Sequence, residues 1–233
     1  SLIKFHGNNK TVEELEFALD QGVGLFIIDS LDEVALLNNL AKDPVDVLIR
    51  VNPGVDVDTH EFISTGQTDS KFGLSIVDGT ALKAVMDVDK AENLNFKGIH
   101  YHLGSQLSDP APFVNALTAV YDWLNAHGID IEILNMGGGF GVRYTDEDIR
   151  FPIEEGFEEI LTQLKRVCAQ YDLELPHVII EPGRSIAAEA AVTVYEIGTV
   201  KDIPGVSRYV SINGGMSDHI RTPLYGAEYD IMP

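Results

Sequence analysis

The sequence has little cysteine and no long apolar run. Cys168 is the single cysteine of the 233 residues, so no internal disulfide can form, and its helical context predicts a buried, inert thiol. No stretch of about 18 consecutive apolar residues exists, which argues against a membrane span. The first residues, Leu2 to Phe5, are typical of a strand rather than of a signal peptide. One thiol and no export signal predict a cytoplasmic protein.

Basic residues are also scarce. The chain has 16 lysines and arginines against 37 aspartates and glutamates, which gives a formal net charge of −21. A surface of this sign repels phosphate backbones and anionic lipids, so neither nucleic acid nor a membrane surface is expected as a partner. The acidity is instead typical of a solubility surface. Hydrophobic residues make up 45% of the chain, which is enough for a substantial core.

The chain does contain a regular alternation of apolar runs and helical patterns. The pattern predicts strands at 2–6, 25–28, 47–51, 96–100, 131–136 and 178–180. It predicts helices at 11–21, 30–41, 80–88, 109–127 and 153–171. Strands this apolar, separated by helices, indicate a parallel sheet that helices cover.

Capping residues mark several helix boundaries. Thr11 with Glu14, and Ser30 with Glu33, have the spacing of capping boxes, in which two free amides are satisfied reciprocally. Gly128 stands where a helix end needs a left-handed residue. These signals support the helix assignments independently of the apolar pattern.

The predicted fold class is α/β, an incomplete TIM-type (β/α)8 barrel with about six βα units. Polar motifs follow the carboxyl ends of the strands, where the active sites of such barrels lie. Six units are two short of eight, and the chain begins directly in a strand, so we expect it to start inside a domain. A doubly wound sheet is the structural alternative. Residues 1–190 are predicted to form the partial cofactor-binding barrel, and the β-rich residues 191–233 the truncated start of a second, β-type domain.

Three short polar motifs at strand ends carry the chemistry. They are His102-Leu103-Gly104-Ser105, Gly137-Gly138-Gly139 and Glu181-Pro182-Gly183-Arg184. An imidazole that can stack on a ring, amides freed by glycine, a carboxylate and a guanidinium suit a flat cationic heterocycle that carries a phosphate. This combination describes pyridoxal phosphate.

Each motif also has a simpler interpretation. The glycines can serve a tight strand-to-helix turn, and Glu181 can cap a nearby turn instead of bonding a pyridinium nitrogen. His100 and His102 alternate in a predicted strand and should share one face, where a histidine is often only a core residue. Zinc is a rival for this pair, but no cysteine or acidic group stands nearby in sequence to complete a site, so no metal is predicted.

With these motifs the chain resembles the diaminopimelate decarboxylases, fold-type III pyridoxal phosphate enzymes of lysine biosynthesis. The similarity runs in order through nearly the whole chain, over segments 5–10, 50–55, 59–66, 69–73, 98–106, 134–141, 181–184 and 214–227. The activity implied is decarboxylation of meso-diaminopimelate to L-lysine and carbon dioxide by a carbon–carbon lyase. A homodimer with a small amino-acid substrate is also implied.

The resemblance assigns roles to individual residues. His102 would stack on the cofactor ring, and Glu181 would bond the ring nitrogen. The phosphate would be held by Ser105, Gly138 and Gly139, with Gly183 and Arg184 close by. The substrate carboxylates would be bound by Arg184, Arg221 and Tyr225. Lys71 is a further catalytic candidate, as a loop lysine near the site; its alternative is a solvated loop position.

Two features of the family are not found. Its Schiff-base lysine lies on the first barrel strand in a segment like Tyr-Ala-x-Lys-Ala, and none of the nine lysines here has that context. Its late Cys-Glu-Ser motif, which reaches the partner subunit's site, is also missing. We therefore expect an internal part of the enzyme that is inactive by itself.

Other functions remain open at this level. An ornithine- or arginine-type decarboxylase shares the fold, but it needs an acidic group to meet a distal cation, whereas Arg221 favours a distal carboxylate. A non-catalytic regulatory relative that keeps the barrel is the alternative from another class. A lysine on the first barrel strand would distinguish the enzyme from the regulator.

Overall fold

The computed structural model describes residues 2–55 and 70–232, so the family-like segment 59–66 lies outside the described part. Its strands are β1 (Lys4–Phe5), β2 (Leu25–Ile28), β3 (Val45–Asn52), β4 (Leu74–Ser75), β5 (Leu94–His100), β6 (Ile133–Asn135), β7 (His177–Ile179), β8 (Ile197–Ile203) and β9 (Ser207–Ile212). Its helices are α1 (Val12–Asp20), α2 (Leu31–Leu40), α3 (Thr80–Asp89), α4 (Ala111–His127), α5 (Ile153–Tyr171), α6 (Arg184–Ala187) and α7 (Arg221–Tyr225).

The strand order shows which α/β architecture the chain adopts. The strand order of the main sheet is β1-β2-β3-β5-β6-β7, and every neighbouring pair is parallel. The two-residue β4 pairs with the carboxyl end of β3. A doubly wound sheet reverses its strand order at a switch point, whereas a barrel adds each new strand beside the last. The order here is sequential, so the prediction of an incomplete TIM-type barrel is confirmed and the doubly wound alternative is excluded.

Helices α4 and α5 show how the sheet is covered. In α4, the apolar side chains at helical spacing are buried: Phe113, Leu117, Val120, Tyr121 and Leu124. Helix α5 packs beside α4 and adds Ile160, Leu164 and Val167 to the same core. Burial of each large side chain of this kind contributes about 1.5–3 kcal/mol. The helix layer therefore fixes the outer face of the sheet and leaves its carboxyl ends for other roles.

The capping predictions are confirmed at one helix and corrected at another. Thr11 and Glu14 form a complete capping box, and Gly128 has φ 62° after α4. Ser30 accepts from the Glu33 amide as expected. The Glu33 carboxylate does not return to Ser30; it accepts from the Asp29 amide at 3.0 Å. Burial of Glu33 explains the difference, because its second oxygen is needed by a buried lysine.

The prediction that Cys168 is a buried thiol is confirmed. Cys168 and Trp123 are both buried in the main core. Burial raises the pKa of the Cys168 thiol, which disfavours the nucleophilic thiolate. Among the helices in the described ranges, none has the length and apolar character needed to cross a membrane.

Beyond α6 the structure changes character. Strands β8 and β9 form a separate antiparallel pair, and the side chains along both strands are exposed. Isolated two-stranded hairpins are marginally stable at best. The division into a barrel domain at 1–190 and a β domain at 191–233 stays a prediction, and the hairpin is the described element that motivates it.

Candidate functional site

A row of polar side chains crosses the carboxyl ends of three adjacent strands. Arg50 of β3 pairs in register with His100 of β5, and His100 pairs with Asn135 of β6. All three are buried, and His100 and Asn135 are fully so. The positions two residues earlier, Leu48 and Ile133, are apolar on the same face. Strand alternation thus replaces an apolar layer by a polar one at the strand ends.

The Glu181 carboxylate lies beside this row. Asn135 Nδ2 donates to Glu181 Oε1 at 2.9 Å, while Oε2 lies 3.5 Å from His100 Nε2 and 3.6 Å from His6 Nε2. Burial alone would raise the pKa of Glu181. Hydrogen bonding by His100 and Asn135 and the charges of His100 and His6 outweigh it and lower that pKa to about 2. Glu181 is therefore an anion at neutral pH, as a partner for a pyridinium must be.

The two histidines beside Glu181 contact each other. His6 Nε2 and His100 Nε2 are 3.0 Å apart and hydrogen-bonded, and the rings meet edge to face. Burial lowers the pKa of His100, and burial together with the charge of His100 lowers the pKa of His6 to about 4. Both rings are neutral near pH 7. His6 follows β1 and is far from His100 in sequence, so local pattern could not reveal the pair.

Acidification should destabilise the fold through His6. Its imidazole protonates near pH 4 in the folded state and near 6.5 when unfolded, so the unfolded state binds more protons between these values. Stability should therefore fall as the pH drops from about 6.5 to 4, by up to about 3 kcal/mol for this group. Chemical unfolding of His6→Gln across this range should give a flatter pH profile than the original chain. An equally steep profile in the variant would remove His6 as its source.

The glycine loop joins the three motifs through backbone contacts. The Gly137 amide donates to Asn135 Oδ1, the Glu181 amide donates to Gly137 O, and the Leu107 amide donates to Gly139 O. A Cβ on Gly138 would lie 2.2 Å from Glu181 O, and one on Gly139 would lie 2.2 Å from Gly104 O. Glycine is required here because neighbouring backbones pack directly on the loop.

Replacing Gly138 by alanine should therefore destabilise the protein. The added methyl group would collide with the Glu181 carbonyl, which belongs to backbone and cannot rotate away. We expect a loss of about 1–3 kcal/mol in the free energy of unfolding, as for overpacked cores. Urea unfolding measures it. Gly183→Ala is the matched control, because nothing lies within 4 Å of a Cβ there. Equal effects at both positions would contradict the packing explanation.

His102 lies beyond the end of β5, so the prediction that it shares a strand with His100 is wrong in detail. The strand ends at His100, two residues before His102. Its Nδ1 accepts from the Gly138 amide at 3.2 Å, which places the ring proton on Nε2. His102 and the glycine loop are thus brought together as predicted, and the ring orientation is fixed by the loop.

Ser105 and Arg184 also meet. Arg184 Nη2 donates to Ser105 Oγ at 2.7 Å, and Nη1 donates to Gln106 Oε1 at 3.2 Å. The serine hydroxyl keeps its own proton for a further acceptor, because Ser105 accepts in this bond. Gly183 precedes the one-turn α6 that begins at Arg184. Gln106 was not predicted, although it directly follows Ser105 in the motif.

Arg184 and Arg221 share an aromatic partner that sequence reasoning missed. Their guanidinium carbons lie 5.7 and 5.4 Å from the centre of the Tyr144 ring. Arg221 also donates to the Tyr229 hydroxyl at 3.0 Å. Tyr225 is 75% exposed, at the end of α7. The structure therefore brings two of the three predicted substrate contacts to one place, and Tyr225 stays a prediction.

Lys71 is exposed, and its Nζ lies 5.1 Å from the Phe72 ring centre. The two residues that follow Lys71 are held in place. The Gly73 amide donates to Asp29 Oδ1 at 2.6 Å, and the Arg50 guanidinium lies 4.6 Å from the Phe72 ring. A catalytic role for Lys71 stays a prediction. Its neighbours, in contrast, are tied to the strand ends.

Buried ion pairs lie in and beside the polar row. Arg50 Nη1 donates to Asp29 Oδ2 at 2.8 Å. Lys10 Nζ donates to Ile27 O at 2.7 Å and pairs with Glu33, whose pKa burial raises. Fully hydrogen-bonded buried networks rigidify their surroundings. The resemblance covers Lys10 and Arg50 by segment, but only the structure shows what they bind.

The donor set fits pyridoxal phosphate. An ionised carboxylate that is held on both oxygens suits a protonated ring nitrogen, and an imidazole that the glycine loop orients suits the ring face. A serine hydroxyl beside an arginine suits a phosphate. Glu181, His102, Ser105 and Arg184 would hold the group, as predicted from the sequence, although these individual roles stay predictions.

The sequential barrel sheet and the polar strand ends are typical of a barrel domain that binds a phosphorylated aromatic cofactor. Residues 1–188 match the family described as pyridoxal-dependent decarboxylase, pyridoxal binding domain. The chain therefore belongs to the pyridoxal-dependent decarboxylases, and the predicted cofactor, pyridoxal phosphate, is confirmed.

Particular relatives confirm the predicted resemblance. The diaminopimelate decarboxylase of Staphylococcus aureus (strain COL) is 51% identical over 232 residues, which cover 100% of this chain and 55% of the relative. That of Bacillus subtilis (strain 168) is 41% identical, over 98% of this chain and 54% of the relative. The crystal structure of the enzyme from M. jannaschii with L-lysine gives a TM-score of 0.88 at 35% identity, over 98% of this chain and 53% of that one. The chain spans about half the length of these relatives.

Proposed function

We propose that this chain forms the cofactor-binding part of a diaminopimelate decarboxylase, which converts meso-diaminopimelate to L-lysine and carbon dioxide. The observation that carries the proposal is the doubly held, ionised Glu181 among the three motif loops. Similarity to the S. aureus enzyme over the whole chain supports it. By the same proposal the 233 residues alone are inactive, because no lysine has the expected Schiff-base context.

The residues of this chain would bind and polarise the reactants. Pyridoxal phosphate, when bound, supplies a ring that accepts the electron pair left as carbon dioxide departs. Glu181 would hold a proton on the ring nitrogen, which keeps the ring electron-poor. His102, fixed by the Gly138 amide, would cover one ring face and exclude water. Ser105, Gly138 and Gly139 would fix the phosphate, with Gly183 beside them.

Two arginines would select the substrate. Arg184 and Arg221 both lie beside the Tyr144 ring, which brings the two guanidinium groups into one neighbourhood. A guanidinium binds a carboxylate through two parallel hydrogen bonds, which lysine cannot reproduce. Two such groups, with Tyr225 nearby in the chain, suit an amino acid with a carboxylate at each end better than ornithine or arginine.

The assembled enzyme is proposed to be a cytoplasmic homodimer. This chain matches only about half of the length of each of these relatives. The partner subunit would complete the site with a segment beyond those described. Analytical ultracentrifugation of a complete protein that contains this chain would give its oligomeric state.

A chimera tests the activity. This chain would replace the matching residues of the S. aureus relative, and release of carbon dioxide would be measured from meso-diaminopimelate, ornithine and arginine. We expect turnover of meso-diaminopimelate only. Preference for ornithine or arginine would overturn the substrate assignment. Absence of turnover from a folded chimera that binds the cofactor would overturn the activity.

The chain by itself offers a second test. After addition of pyridoxal phosphate and reduction with borohydride, mass spectrometry should find no specific adduct on any of its nine lysines. An adduct confined to one lysine, Lys71 for example, would show that the covalent anchor lies within this chain.

A further inference from the structure

The Glu181 carboxylate is held from two sides by buried groups that no predicted role uses. Asn135 donates to Oε1 at 2.9 Å, and His100 Nε2 lies 3.5 Å from Oε2. Both side chains are fully buried and stand in register on adjacent strands. Their positions are therefore set by the sheet, whereas Glu181 comes after the end of β7.

The surroundings of His100 decide which ring nitrogen carries its proton. Within the described residues, no hydrogen-bond partner lies near His100 Nδ1, which is fully buried. A proton there would leave a buried donor unsatisfied and would aim the Nε2 lone pair at an anion, so attraction between His100 and Glu181 would become repulsion. A proton on Nε2 leaves Nδ1 as a buried acceptor without a partner in the described part of the chain, but it gives Nε2 a donor toward both of its neighbours. It can be shared between His6 Nε2, at 3.0 Å, and Glu181 Oε2.

A metal ion is the competing explanation for this cluster. The three atoms are 3.0, 3.5 and 3.6 Å apart, near the roughly 3.3 Å between donors around tetrahedral zinc. A metal on His100 Nε2, however, would force the proton onto Nδ1. Histidine ligands of metals almost always donate that proton to a partner, and none lies near it among the described residues. The geometry therefore favours a hydrogen-bonded cluster.

We propose that His100 is a positioning residue that, as the Nε2–H tautomer, holds Glu181 in the orientation and charge state that the cofactor ring requires. Asn135 holds the other oxygen, and His6 is the second acceptor of the His100 proton. The charged groups around the cluster are Arg50, paired with Asp29, and Lys10, paired with Glu33. His102 is a neutral ring whose Nδ1 accepts from the Gly138 amide. The functional consequence rests on the proposed decarboxylase activity, but the tautomer does not.

Nitrogen NMR of the histidine rings tests the tautomer on the chain without cofactor. We expect His100 Nε2 to be protonated and Nδ1 bare between pH 6 and 8. A protonated Nδ1 would overturn the proposal. Addition of Zn²⁺ should leave the signals of both rings unchanged, and a shift of His6 and His100 Nε2 to coordinated values would assign the cluster to a metal instead.

Two substitutions of His100 distinguish the effect of its hydrogen-bond donor from the effect of its bulk. Glutamine places an amide donor near the position of Nε2, and leucine fills the buried volume without a donor. In His100→Leu the pKa of Glu181, followed by carbon NMR, should rise by about one pH unit, the equivalent of one lost hydrogen bond to a charged group. In His100→Gln it should stay near its original value. Equal values in both variants would overturn the role of His100.

The chimera tests whether the contact between His100 and Glu181 matters for catalysis. His100→Leu should lower kcat at least tenfold and should change the affinity for pyridoxal phosphate little. His100→Gln should restore most of the lost kcat. If the NMR results hold and both variants match the unsubstituted chimera, the positioning role is wrong. If the unsubstituted chimera is itself inactive, the proposed activity fails and the tautomer assignment stands.

Discussion

Replacement of Glu181 by glutamine in the chimera should leave pyridoxal phosphate bound but slow turnover by two to three orders of magnitude. Glutamine keeps the size of the side chain and can still accept from Asn135, so the loops should keep their positions. It has no negative charge with which to hold a proton on the ring nitrogen. Loss of one preorganised electrostatic partner costs about 2.7–4 kcal/mol of transition-state stabilisation. Single-turnover kinetics and the cofactor absorbance measure the two effects separately.

Glu189 supplies the matched control for that experiment. It is a carboxylate of the same chain segment, which accepts from the Arg143 amide at 3.2 Å and pairs with Arg150 away from Glu181. Glu189→Gln removes the same charge without touching the predicted cofactor contacts, so turnover should be unchanged. Near-normal turnover in Glu181→Gln would remove this carboxylate from the mechanism.

Substitution of Arg221 by alanine should weaken the use of meso-diaminopimelate by about 2–5 kcal/mol in kcat/KM, the scale for an unpaired buried charge. The guanidinium lies on Tyr144 and bonds the Tyr229 hydroxyl, so it is held in place before substrate arrives. The slow reaction of lysine-like amino acids, which have no distal carboxylate, should be weakened much less. Steady-state kinetics with both substrate types gives the comparison.

Arg208 is the corresponding control. It lies on β9, is largely exposed and pairs with Asp202, so Arg208→Ala removes an arginine without affecting the motif loops. Both substrate types should be unaffected in that variant. If Arg221→Ala reduced both reactions equally, Arg221 would serve the fold alone, and another group would have to select the second carboxylate.

The barrel was predictable because the information is local. Apolar runs of strand length, helical spacing in α4 and α5, and the Thr11 capping box each depend on a few neighbouring residues. The prediction for α5 agrees with the structure at both ends. The predicted return of Glu33 to Ser30 is wrong, because the Glu33 carboxylate binds Lys10 from another loop and the Asp29 amide instead. Tertiary partners overrule local capping whenever a buried charge must be satisfied.

The candidate site also has a part that local sequence predicts and a part that it does not. Motifs contiguous in sequence identified His102, Ser105, the glycines, Glu181 and Arg184, and the structure brings them together. His6, Asn135 and Tyr144 were missed, because each acquires its role from a partner on a different strand or loop. Register is the missing information: the row through Arg50, His100 and Asn135 exists only once three strands are aligned.

The sequential strand order has a consequence for how this chain behaves as an isolated molecule. Among the described strands, β1 pairs only with β2, and β7 only with β6, so both edge strands of the curved sheet present amide and carbonyl groups without a strand partner. Such edge strands are templates for intermolecular pairing and fibrillar aggregation. The edge strands β1 and β7 are only two and three residues long, and Lys4 places a charge on β1. Short length and charge limit pairing between copies, so these strand edges act together with the acidic surface against aggregation.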